Sequence, residues 1–192
     1  MKTGIIVIIV LVLVGFWGCS SYNGVVKKDE VVQKAWGNVE TQYQRRADLI
    51  DNLVSTVKGS AKFEQETLTG VIEARAKATS VQVNANDLSP EKIAQFQQAQ
   101  GELSGALSRL LVSVERYPEL RTTEQFQTLM AQLEGTENRI AVSRNDFNTA
   151  VNAYNSSVRT FPTNLVAGLG GFQQKGYFKA AEGSDKAPKV EF

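Results

Sequence analysis

GIIVIIVLVLVGFWGC, residues 4–19, leads through Ser20-Ser21 into YNGVVKKDEVVQKAW, residues 22–36. The first stretch is an unbroken apolar run. The second opens a mixed pattern whose apolar residues recur at three-four spacing, the period of an amphipathic helix. In that order they predict a hydrophobic N-terminal anchor followed by one water-exposed helical body held at a membrane surface. No comparable apolar run follows, so the body is not threaded through lipid.

Three readings compete for the anchor. Met1-Lys2-Thr3 supplies a short cationic lead, and the apolar run is slightly shorter than the roughly 20 residues of a spanning helix. As an uncleaved span it extends through Ser20 and Ser21 to the interface, with Trp17 and Tyr22 as aromatic anchors. A lipoprotein signal would be cleaved and acylated at Cys19; Gly18-Cys19-Ser20-Ser21 suits this, whereas Phe16 and Trp17 do not. A simple secretory signal needs small residues before its cleavage site, and the residues before Cys19 are Phe16, Trp17 and Gly18. Lys2 and the α-amine favour a cytoplasmic N-terminus against Lys27 and Lys28, which predicts an extracytoplasmic body.

Beyond the anchor lie about 170 residues, enough for one domain with a core. Lys+Arg number 21 and Asp+Glu 20, without strong segregation of sign, which argues against nucleic acid as a partner. Cys19 is the single cysteine and histidine is absent. That removes an intrachain disulfide, a thiolate metal cage, Ser-His-Asp and Cys-His nucleophiles and every histidine-metal site. No cofactor is expected.

Between residues 23 and 161 the only prolines are Pro90 and Pro118. A first helical stretch is predicted from about Lys28 to Ala78, on Val32, Trp36, Val39, Tyr43, Ile50, Leu53 and Val57, with Gly59-Ser60 as a kink. Ser89 as N-cap and Pro90 at the first turn open a second helix. Its seam is Ile93, Phe96, Gln100, Leu103, Leu107, Leu110 and Val114, and Tyr117-Pro118 closes it. Thr122 with Gln125 forms a capping box for a third, which carries Phe126, Leu133, Glu137, Ile140, Arg144, Phe147, Val151, Tyr154, Val158 and Phe161. The predicted fold is all-α. It has an anchor over residues 1–22 and an elongated antiparallel bundle of three to four long helices over 23–162. An apolar Gly/aromatic tail follows over 163–179, and a flexible end over 180–192.

Charges lie on these seams. Arg45, Arg46 and Asp48 fall on the inner face of the first helix, and Gln100, Glu137 and Arg144 interrupt the others. A lone buried charge costs several kcal/mol, so such groups need partners. The expected arrangement is a polar layer in which Arg45 or Arg46 meets Glu137, and Asp48 meets Arg144. Its expected role is to fix helix register.

The tail carries Leu165, Leu169, Phe172, Tyr177 and Phe178, residues suited to cover the bundle or to contact a neighbouring subunit or lipid. Its GLGGF (168–172) follows a helix and lacks the Lys-Ser/Thr pair of a phosphate loop. Asn155-Ser156-Ser157 matches a glycosylation sequon within a predicted helix.

From the anchor to Phe178 the chain resembles the LemA family. The resemblance rests on Tyr22-Asn23-Gly24-Val25-Val26, on Val32 with Ala35-Trp36, and on QRRADLIDNLV (44–54) with Val57-Lys58-Gly59. It continues through Glu73-Ala74-Arg75, Tyr117-Pro118-Glu119-Leu120, Glu137-Asn138-Arg139-Ile140 with Arg144, Tyr154-Asn155 and Phe161-Pro162. The arginine pair followed by Asp-Leu-Ile and Asn-Leu-Val is its most specific part. The family often has proline where Asp51 stands, so a continuous helix is expected through this point. The resemblance implies a bacterial membrane-attached, largely extracytoplasmic helical bundle and supplies no enzymatic activity. It brings two associations: relatives that shape organelle membranes in magnetosome-forming bacteria, and a link with membrane metalloproteases.

Three function classes follow. One is a scaffold whose copies assemble on membrane lipids as a homo-oligomer. Another is an adaptor for an envelope protease or other membrane protein. The third is an enzyme, for which only carboxylate pairs such as Glu64/Glu66 or Glu115/Glu119 remain; these fit a solvated helix face better. The scaffold is the favoured expectation.

Overall fold

The computed structural model describes residues 2–59 and 64–180, Lys2 by its backbone alone. Its helices are α1 (Lys2–Lys58), α2 (Gln65–Ser80), α3 (Pro90–Val114), α4 (Pro118–Arg121), α5 (Glu124–Arg159) and α6 (Thr163–Leu169), with no strand among the described residues. The all-α reading holds. The predicted flexible end lies, from residue 181 onward, outside the described residues.

The 57 residues of α1 span about 85 Å at 1.5 Å per residue. No proline interrupts them, and the helix passes through residue 22 without a break. Anchor and body therefore share one element. From Ile5 to Phe16 every large apolar side chain is more than half exposed; from Val25 onward one face is buried. The helix also runs through Asp51, whose carboxylate accepts a hydrogen bond from Arg75 and ties α1 to α2.

Three expected boundaries are corrected, and the Ser60 half of the predicted kink lies outside the described residues. The first helical stretch does not continue to Ala78: α1 ends at Lys58 beside Gly59, a poor helix former, and α2 is a separate element packed against both α1 and α3. The predicted Ser89-Pro90 start is present, with Pro90 in the first turn of α3. The cap of α5 is Thr123 rather than Thr122, its hydroxyl accepting the Phe126 N–H at 3.4 Å. That helix stops at Arg159, short of Pro162.

Side-chain pairings set the register. Arg46 meets Glu137 and Trp36 meets Phe147, so α5 runs antiparallel to α1. Phe96 packs on Trp36 and Gln100 reaches Arg46, so α3 runs parallel to α1. The end of α5, α6 and the start of α3 therefore gather where α1 leaves the apolar run. The far end of the body holds α4, tied nearby by Arg116–Glu64 at 2.9 Å.

Two apolar clusters fill the body. The far one joins Ile50, Leu53, Val57, Val71, Leu103, Leu110 and Leu133. The near one is aromatic: Trp36 stands edge-on to Phe96 and Phe147, with centroids at 5.2 and 5.5 Å, and stacks with Phe178 at 6.1 Å. Each fully buried side chain of this size contributes roughly 1.5–3 kcal/mol by leaving water.

Candidate functional site

Between the two clusters lies a polar layer centred on Arg46, which is 2% exposed. Its Nη1 donates to Glu137 Oε1 at 2.9 Å and to Ser104 Oγ at 3.1 Å. Its Nη2 donates to the Gln100 carbonyl at 3.3 Å and to the Gln100 side-chain oxygen. Gln100 in turn donates to the Ala78 carbonyl at 3.4 Å. The guanidinium also lies 4.9 Å over the Tyr43 ring. Burial pushes the Tyr43 hydroxyl's pKa up, against the opposing charges of Arg144 and Arg46. One arginine thus ties α1, α3 and α5 together, and through Gln100 also α2.

The other charged residues behave differently. Arg45 and Asp48 are exposed, and Asp48 accepts from Gln44 one turn away on α1 at 2.9 Å. The expected Asp48–Arg144 pair is corrected: Arg144 donates to the Lys179 carbonyl at 2.8 Å and covers the Phe178 ring at 4.9 Å. The physical reason is the phase of α1. Arg46 shares its inward face with Tyr43 and Ile50, whereas Asp48 points half a turn away. Glu137 keeps 47% of its side chain in contact with solvent, so water replaces much of what its loss removes. Glu137→Ala is expected to lower stability by about 1–2 kcal/mol, measured by urea unfolding.

The tail holds a second arrangement. After α6 the chain runs extended and is held by three side-chain amides that each clamp one residue's backbone at both ends. Asn155 binds the N–H and carbonyl of Lys175, each at 2.9 Å. Asn148 does the same for Phe178, each at 2.9 Å. Gln97 clamps Lys179 at 2.9 and 3.0 Å. An amide side chain offers a donor and an acceptor side by side, so each acts as a one-residue strand neighbour. Gly176 donates to the Leu88 carbonyl at 2.8 Å. A Cβ there would stand 2.7 Å from Pro90 Cα, so only glycine admits this approach. Gly176→Ala is expected to cost about 1–3 kcal/mol and to expose Lys175 and Lys179 to trypsin, read by limited proteolysis.

Lys175 anchors the same segment from within, its Nζ 2.7 Å from Asp29 Oδ1 and 5.2 Å over the Tyr154 ring. Tyr154 donates to the Gln173 carbonyl at 3.0 Å. Burial, then the charge of Asp29, pushes its pKa up to about 12. The folded protein thus holds this proton more tightly than the unfolded chain, whose tyrosine titrates near 10. The contribution is complete below pH 10 and is lost as pH rises toward 12. Stability is expected to fall across that window, and Tyr154→Phe to remove part of the fall in a pH series of unfolding curves.

The predicted contact residues of the tail divide. Phe178 is corrected to a core residue, 5% exposed, because the amide clamps turn it into the aromatic cluster. Phe172 is half-buried against Tyr22, with ring centroids 5.4 Å apart. Tyr177 is partly exposed, Leu165 more so, and Leu169 is 93% exposed. Trp17 and Tyr22 are both partly exposed on α1, and Cys19 is a free, exposed thiol. Asn155 of the sequon is buried and clamped, which withholds it from glycosylation.

Lys175, Gly176, Gln97, Asn148 and Asn155 went unmarked as a set by sequence reasoning. The available signal was Asn148 and Asn155, seven residues apart beside the apolar seam of α5. Among the described residues no group of three or more acidic or cysteine side chains could hold a metal.

The sequence model of the LemA family matches residues 35–192. Magnetosome protein MamQ 1 of Paramagnetospirillum magneticum is 28% identical over 181 residues, covering 85% of this chain and 66% of that protein. Magnetosome protein MamQ of Magnetospirillum gryphiswaldense is 27% identical over 183 residues, with the same coverage. Protein LemA of Metamycoplasma hominis is 23% identical over 160 residues, covering 83% of this chain and 69% of its own. The chain thus spans just under two thirds of the magnetosome relatives' length.

Proposed function

The chain belongs to the LemA family, and from that premise we propose that it is a non-enzymatic, membrane-anchored helical scaffold. Its copies associate side by side to organise, stabilise or remodel a bacterial envelope membrane. The observation that carries this reading is the unbroken passage of α1 from an exposed apolar segment into the core of the body. A flexible tether lets a domain tumble above the membrane. A continuous helix instead fixes the body's height and tilt, so that neighbouring copies present the same faces to one another, and two-dimensional confinement multiplies weak lateral contacts. The relatives named as magnetosome proteins support the same reading here.

Anchoring is by α1 as a retained span, with Trp17 and Tyr22 at the interface; acylation of Cys19 is the other anchoring chemistry, and intact mass separates the two. The body lies on the extracytoplasmic side. A second reading, an adaptor for an envelope protease or other membrane protein, is favoured by the open apolar groove between α3 and α5 at the far end, lined by Leu107, Leu111, Phe126 and Met130.

Stoichiometry separates the two. Electron microscopy of the full-length protein in mild detergent is expected to show large ordered homomeric particles, absent from a chain beginning at Ser20. Small uniform particles in both samples would reject the scaffold and lead to crosslinking for a partner.

A further inference from the structure

We propose that α6 and its flanking turn form a second membrane contact: an apolar foot that lies in the lipid interface beside the anchor. This deepens the anchoring reading above and rests on it.

Two uncharged stretches of sequence, far apart in the chain, meet in the fold. One is Thr3–Val26 on α1. The other is Thr160–Gln174, which contains α6. They are pinned together at Tyr22, whose ring touches Phe172 and lies 3.1 Å from where a Cβ on Gly170 would stand. That point is where the exposed apolar run of α1 gives way to the buried face of the body.

The outer side of this foot is apolar and uncovered. Phe161 is 75% exposed, Leu165 57% and Leu169 93%, while Ala167 on the inner side is fully buried. Leu165 and Leu169 stand four residues apart and share one helix face. Exposed apolar residues singly are ordinary, but a charge-free cluster of them beside a membrane segment is not. Of the charges that border the two stretches on the side of the body, Lys175 is buried against Asp29, whereas Lys27, Lys28 and Arg159 are exposed and basic. They form the rim expected where headgroups begin, since basic side chains near a membrane surface are drawn to anionic lipid.

The occupant is the bilayer itself rather than a second copy, because the patch is continuous with the anchor that already occupies it. In consequence the body has two points of attachment on one side, which sets its tilt as well as its height. A wedge of apolar side chains in one leaflet also displaces headgroups on that side of α1 alone.

The test uses full-length protein with Cys19→Ser, reconstituted into vesicles of phosphatidylcholine and phosphatidylglycerol. An environment-sensitive nitrobenzoxadiazole label is placed at Leu169→Cys. Leu11→Cys in the anchor is the positive reference, and Val112→Cys, exposed near the far end of α3, is the negative one. Leu165→Cys provides a second probe of the foot. The expected result is a blue-shifted emission at 169 and 165 that doxyl-labelled lipid quenches, as at 11, with 112 unchanged. A quenched label at 11 with a water-exposed label at 169 overturns the foot and leaves the anchor standing. A shielded but unquenched label at 169 also overturns it, since protein rather than lipid then covers the site. Loss of quenching at 11 and 169 together overturns the anchoring reading, and the foot with it.

Discussion

Trp36→Ala is expected to lower the stability of the body by about 3–5 kcal/mol, a fall in Tm on the order of 10 °C. Trp36 is fully buried and touches Phe96, Phe147 and Phe178, which come from α3, α5 and the tail. Its indole N–H donates to the Val83 carbonyl at 3.3 Å and so also holds the loop between α2 and α3. Removing the ring opens a cavity among rigid aromatic neighbours that cannot close it, and leaves that carbonyl without its donor. Thermal unfolding of the full-length protein followed by circular dichroism reads the effect. A loss under 1 kcal/mol would mean that the aromatic cluster does not hold the near half together. The same variant is expected to loosen the tail, because Phe178 loses the surface on which it stacks.

Arg46→Ala is expected to cost about 3–5 kcal/mol, well beyond Glu137→Ala at the same layer. The asymmetry follows from solvent. Glu137 is half exposed, but Arg46 is buried and donates at once to acceptors on Gln100, Ser104 and Glu137. Without it these oxygens face an apolar cavity between the two clusters. Arg46→Met fills the volume and leaves only the polar groups to rehydrate or rearrange, so it is expected to recover a good part of the loss. Urea unfolding of the three variants reads the order Glu137→Ala above Arg46→Met above Arg46→Ala in stability. Equal losses for Arg46→Met and Arg46→Ala would place the cost in charge rather than packing. A buried arginine at this height also penalises slipped registers of α5 on α1, since Ile140 or Leu133 would then face the guanidinium.

The legible parts of the fold were those written in period and punctuation. The apolar run, the seams around Trp36, Phe96 and Phe147, and the Ser89-Pro90 start all show on one strand of sequence. The division of the first helical stretch was less so, because α1 and α2 carry similar patterns and only Gly59 marks the join. The inner face of α1 at this height was legible, but which arginine of the pair it holds was not: Arg45 is exposed, and Arg46 is in phase with Tyr43 and Ile50 and is buried. Its neighbour Arg45 carries the same chemistry with the opposite outlook, and adjacent residues on a helix differ by 100°. The Asp48–Arg144 expectation failed for a related reason: seam position alone does not reveal that a tail carbonyl, from Lys179, reaches Arg144 first. The tail was the hardest part to read. An extended segment held by side-chain amides has neither helical nor strand periodicity, and its clamps lie in helices far away in sequence. Phe178 therefore read only as an apolar tail residue suited to cover the bundle or to meet a neighbour or lipid, when it is part of the core.

These elements support one account of the molecule. In it, the aromatic cluster and the Arg46 layer stiffen the body, and the proposed anchoring by α1, which is continuous from Lys2 to Lys58, passes that stiffness on to the membrane. The most direct measurement is cryo-electron tomography of vesicles carrying the full-length protein at rising density, beside a variant with a flexible Gly-Ser insertion after Tyr22. The account predicts ordered lateral arrays and altered vesicle curvature with the intact chain, both lost when the insertion uncouples the body from its anchor. Spherical vesicles bearing dispersed single particles at every density, with the two proteins alike, would contradict it.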